Sequence, residues 1–131
     1  MNELREAYER FWNGFGVCAY PAGYLPFGHE GIEFPYITYE AVCPAAGEFV
    51  PARINVWGRE TAEVGDFRAV DAVIERIAEG IPCQNGKVIP CGEGKMLWVM
   101  RGNPFVVCLD EPKDRFVTRG ILRVLVKSFG V

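Results

Sequence analysis

The sequence predicts an α+β fold: a mostly antiparallel sheet with two helices packed on one face, in the order α-β-β-α-β-β-β, within one domain spanning residues 1–131. Three observations lead there. Ala52-Arg53-Ile54-Asn55-Val56-Trp57 alternates strictly, with Arg53, Asn55 and Trp57 on one side and Ile54 and Val56 on the other, the period of a sheet with two unlike faces. Phe67, Val70, Val73, Ile74, Ile77 and Ile81 recur at helical spacing. Strand hairpins separate the helical stretches, the arrangement of a sheet with helices segregated to one face.

The first helix is expected over residues 3–13. Leu4, Tyr8, Phe11, Trp12 and Phe15 form its apolar face, Asn2 can cap it and Asn13-Gly14 ends it. Residues 16–35 are rich in Pro and Gly and read as loop, with a short strand conceivable at Val17–Tyr20. Pro35 leads into a strand over 36–43, Pro44-Ala45-Ala46-Gly47 turns, and a second strand over 49–58 completes an antiparallel hairpin. A polar loop follows from Gly58 to Gly65. Asp66 is the expected N-cap of the second helix, which Gly80 and Pro82 terminate. Val70, Ile74 and Ile77 should be buried on the sheet with Ile54 and Val56.

Asn85-Gly86 is a turn signal. Lys87–Cys91 reads as a short strand, Gly92-Glu93-Gly94 as a turn, and Lys95–Arg101 as a strand with Met96, Trp98 and Met100 on one face. Phe105–Leu109 reads as a further strand, Asp110–Asp114 as an exposed acidic loop, and Phe116–Phe129 as a long final strand with a bend at Gly120. A helix competes there, because Arg115, Arg119, Arg123 and Lys127 lie four apart, but the β-branched run through 121–126 favours a strand.

Composition narrows the function classes. Half of the residues are hydrophobic and 13 % aromatic, enough for a core that needs no disulfide or metal. The formal charge of −3 lacks the basic excess behind nonspecific nucleic-acid binding. The charged N-terminal stretch is unlike a secretion signal, and no apolar run nears the roughly 20 residues of a membrane span, so a soluble cytoplasmic protein without membrane partners is expected. The odd count of five cysteines (Cys18, Cys43, Cys83, Cys91 and Cys108) fits free thiols, four of them read as small apolar fillers in or beside core elements.

Catalytic chemistry finds little purchase. His29 is the sole histidine and Ser128 the sole serine, with no G-x-S-x-G elbow. Cys83 and Cys91 form the nearest approach to a zinc pair, too far apart in sequence for the usual spacing. Gly92-Glu93-Gly94 leads into a strand, not the helix that a phosphate loop requires. A non-enzyme without cofactor or metal is expected; a cysteine-dependent enzyme using His29 is the least favoured class. Two charge features remain: the acidic Asp110, Glu111 and Asp114, and the basic row Arg115, Arg119, Arg123 and Lys127. Such a row is an ordinary solvated face, or one half of a complementary contact between subunits.

Gly16-Val17, the Phe34-Pro35-Tyr36-Ile37-Thr38-Tyr39-Glu40 strand, Arg53-Ile54-Asn55-Val56-Trp57, the amphipathic helix, Arg119 and Leu122-Arg123-Val124-Leu125-Val126 together resemble small head–tail proteins of long-tailed bacteriophages and prophages, most of all the tail terminator (tail completion, minor capsid) group. The resemblance runs from about residue 3 to 126; the Pro/Gly loop at 21–33 and the five cysteines depart from it. It implies a homohexameric ring, formed in the host cytoplasm and carried at the head–tail junction of the virion. The ring would cap the tail tube, stop its growth and meet the tail-tube and head-completion proteins, with no catalytic motif. Contacts are then expected from Arg59 and Glu60 after Trp57, from Asp110, Glu111, Asp114 and Arg115 at the late loop, and from Arg119 and Arg123 on the final strand. The alternative is a small monomeric or dimeric protein-binding module of a prophage.

Overall fold

A computed structural model describes residues 2–22, 33–41, 47–59, 67–110 and 117–130. His29, Cys43, Glu60, Asp66, Glu111, Asp114 and Arg115 lie outside the described residues.

The chain runs α1 (Asn2–Trp12), β1 (Ala19–Pro21), β2 (Tyr36–Tyr39), β3 (Val50–Arg59), α2 (Arg68–Gly80), β4 (Lys87–Gly92), β5 (Lys95–Asp110) and β6 (Val117–Phe129). The strands form one sheet in the order β1-β2-β3-β6-β5-β4. Only β1 and β2 pair in parallel; every other neighbouring pair is antiparallel. The class is the expected α+β. The order gains one strand, and two stretches expected as separate strands merge. The short strand near Tyr20 is real and forms one edge of the sheet. The stretches 95–101 and 105–109 are one strand, carried across Gly102-Asn103-Pro104-Phe105 by a register shift between Arg101 and Val106. The Gly and Pro there mark an irregularity within a strand and not its end.

Both helices lie on one face. Leu4, Ala7, Tyr8 and Trp12 of α1 and Val70, Val73 and Ile77 of α2 share a single core with Ala52, Ile54 and Val56 of β3 and Leu122, Val124 and Val126 of β6. The period-two reading of β3 therefore assigned its faces correctly. Ile74, expected to be buried, is only partly so and packs at the core's margin. Gly120 does not break β6: a Cβ there would stand 2.8 Å from Ile74 Cδ1 and 2.9 Å from Val70 Cγ1, so the glycine lets α2 settle against the strand.

Helix α2 starts without the expected cap. Phe67 takes the N-cap position and makes no side-chain cap bond, and Asp66, the expected cap, lies outside the described residues. Its C-terminal end has no basic residue in the last turn. Arg101 of β5 supplies one from across the core, its Nε donating to Ile81 O and its terminal nitrogen to Ala78 O, both at 2.6 Å. A cation thus meets carbonyls that the helix itself leaves unpaired.

Candidate functional site

The helices cover one face of the sheet, no described helix packs on the other, and the side chains there fall into three bands. At the β1–β2 end, Tyr36 stacks on Trp57 with ring centroids 6.2 Å apart, flanked edge-on by Tyr20 and Phe34. The Trp57 indole N–H donates to Thr38 Oγ1 at 2.9 Å. Tyr36 and Thr38 are buried although they point away from the main core, and burial raises the Tyr36 phenol well above its usual range. The Phe34–Glu40 and Ala52–Trp57 segments, prominent in the sequence, thus build a small aromatic core of their own. Arg59 lies over the Phe34 ring at 4.6 Å from its centroid.

At the opposite end, Trp98 of β5 meets Phe49 and Phe129, and Lys127 sits 5.0 Å from the Phe49 centroid. Met96 and Trp98 share this face with Lys127 and Phe129, as the alternation of β5 predicted.

The charged band lies between. Arg119, Arg123 and Lys127 do occupy one face of β6, as the four-residue spacing implied. They are not equivalent. Arg119 grips Asp110 with two parallel hydrogen bonds, Nε to Oδ1 at 2.9 Å and a terminal nitrogen to Oδ2 at 2.6 Å, and also lies over Trp57. Asp110 is accordingly not a loop residue; it closes β5 directly opposite Arg119. The acid and base singled out as opposite halves of an intersubunit contact satisfy each other within one chain. Arg123 sits in mid-strand, exposed, and has no side-chain partner among the described residues. The structure thus joins Asp110 to Arg119 and leaves Arg59 and Arg123 apart from them. Arg53 is a residue of this face that the sequence reading did not single out as a contact. It stands directly opposite Arg123 in the β3–β6 ladder, and strict alternation already placed it on the same face.

The bidentate arginine holds the Asp110 carboxyl below its ordinary range. A carboxyl whose pKa is lower in the folded than in the unfolded chain stabilises above the unfolded value, about 3.9. That contribution disappears as pH falls through the depressed folded value. The melting temperatures of the wild type and Asp110→Asn should therefore differ near neutrality and converge in acid; a gap that persists below pH of about 2 would assign the effect to something other than ionisation.

The cysteines depart from expectation. Cys91 is buried, but Cys18, Cys83 and Cys108 are exposed and all four are free. Cys108 occupies the exposed half of β5, and Cys83 lies in the turn after α2, so neither fills a core gap. Burial pushes the Cys91 thiol up. Titration of the folded protein with a thiol reagent should modify Cys18, Cys83 and Cys108 rapidly and spare Cys91 until unfolding; equal rates at all four would contradict this arrangement.

Among the described residues no group of three or more His, Cys, Asp or Glu is placed to hold a metal ion, and no helix is long and apolar enough to cross a membrane. Comparison with known proteins adds no relative: no family model matches the chain, and no curated protein matches it.

Proposed function

We propose that this chain is a structural assembly protein of the tail-terminator kind, a subunit that forms a ring, possessing no catalytic activity, and caps a phage tail tube where it meets the head-completion protein. The observation that carries this reading is the pair of unlike surfaces on opposite sides of one sheet. The helical side presents Glu3, Glu6, Glu9, Asp71, Glu75 and Glu79 interspersed with four arginines and with Lys95, which pairs with Glu3 at 3.1 Å. The open side presents Arg53, Arg123 and Lys127 between two aromatic clusters. Two different surfaces on one subunit allow head-to-tail contacts, which close into a ring when the rotation between subunits permits. The Asp110–Arg119 pair is internally satisfied and contributes little to such a contact; the exposed Val106, Val107 and Leu109 of β5 are the better candidates.

Native mass spectrometry at micromolar concentration, with and without tail-tube protein, should show a closed oligomer, a hexamer by the family resemblance. A tight symmetric dimer burying the open face would count against a ring and favour the binding-module reading, which the same open face also suits. In a phage that carries the gene, deletion should give tails of uncontrolled length that fail to join heads. Normal joined particles from the deletion strain would remove the proposal.

A further inference from the structure

The centre of the open face holds a feature that ring assembly does not require. Arg53 of β3 and Arg123 of β6 are register partners, so two guanidinium side chains leave the same face from directly opposed positions. Like charges so placed destabilise a sheet. Neither side chain has a carboxylate or any other partner among the described residues. The other described cations of this face are engaged: Arg119 by Asp110, Arg59 over Phe34, Lys127 over Phe49 and Phe129.

The pair lines a shallow groove of about 510 Å³, whose other walls are Glu40, Pro51, Val107 and Leu122. Among the described residues the groove has one carboxylate, on Glu40, which accepts the backbone N–H of Arg53, so two guanidiniums face one anion and a positive charge is left over. The surrounding backbone is shaped to hold Arg123. The β5 register shift falls beside it, and a Cβ on buried Gly102 would stand 2.6 Å from Arg123 Cγ. Only a glycine lets the arginine stem lie across β5 in this way.

We propose that Arg53 and Arg123 form a recognition site for an acidic segment of a partner protein, an extended stretch in which carboxylates alternate with apolar side chains. The guanidinium fork matches a carboxylate in two-bond geometry, and the neutralised charge relieves the repulsion between the arginines. Exposed Pro51 and Val107 offer apolar contact to the flanking residues. A nucleic acid is a poorer occupant, because phosphate backbones are held by many cations together and this face has two unengaged ones among the described residues, on a chain of formal charge −3. The inference goes beyond ring formation, since it holds equally for a monomer.

The test is fluorescence polarisation with the intact protein and a labelled short peptide carrying Glu at two alternate positions between valines. The comparison probes are its Gln counterpart and a labelled oligothymidylate. The Glu peptide should bind at least roughly tenfold more tightly than the Gln peptide, the loss expected when a charge-assisted bond is removed. Arg53→Gln and Arg123→Gln should each weaken it by a similar factor, and Lys87→Gln on β4 should not. Both arginine variants should melt at or above the wild-type temperature, because each removes one of two opposed like charges. Several results would overturn the proposal: no binding of the Glu peptide, equal binding of the two peptides, undiminished binding in either arginine variant, or tighter binding of the oligonucleotide. A lowered melting temperature in both variants would assign the arginines to the fold instead. Ring formation can fail its own test without affecting any of these outcomes.

Discussion

Trp12→Ala should lower the unfolding free energy by about 3–5 kcal/mol, the range for deleting a large buried aromatic. Trp12 is fully buried at the C-terminal end of α1, with its ring 6.0 Å from Tyr8, 4.9 Å from Phe11 and 5.8 Å from Phe15. Removing the indole leaves a cavity that these rings cannot all collapse into, because Tyr8 is itself held edge-on against Tyr39 of β2. One detail sets the contrast. The Trp12 indole N–H and the Tyr8 hydroxyl are buried near each other, outside good hydrogen-bond geometry, and have no other partner among the described residues. Trp12→Phe keeps most of the volume and discards an unsatisfied donor, so it should cost far less than Trp12→Ala. Chemical denaturation of the three proteins checks this, and equal losses in the two variants would show that the indole nitrogen has a partner after all.

The second large effect belongs to α2. Ile77→Ala should cost about 2–5 kcal/mol, since Ile77 is completely enclosed between Val73, Ile81 and the sheet. Ile74→Ala should cost less, because Ile74 is only partly buried and its δ-methyl lies over the Cβ-less position at Gly120. Urea titrations in which Ile74→Ala proved the more damaging would mean that the inward face of α2 is rotated by a residue from that described.

How far the sequence disclosed this fold depended on how local each signal was. The helix faces and the two sides of β3 follow from periodicity alone, and Ile54, Val56, Val70, Val73 and Ile77 were all legible. Gly102 and Pro104 misled, because they interrupt the local pattern while the ladder with β6 carries β5 through them. The start of α2 was read from Asp66, a good capping residue by type, but only the fold decides whether a cap forms. The charged site was half visible. Arg119 and Arg123 could be placed on one face, but their different fates could not. Asp110 is opposite Arg119, and Arg53 is opposite Arg123, only through the register of strands far apart in sequence.

The length of β5 has a consequence for the protein as a solute. β4 pairs with β5 only between Lys95 and Val99, and among the described residues nothing pairs with the outer edge of β5 from Arg101 to Asp110. That edge carries exposed Val106, Val107 and Leu109, with no lysine or inward-turned charge to deter a neighbouring strand between Phe105 and Leu109. A free subunit is therefore exposed to edge-to-edge aggregation, and its shelf life should shorten steeply as concentration rises. In a cell the same edge would make timely encounter with a partner, and not stability of the isolated fold, the quantity that governs how much usable protein accumulates.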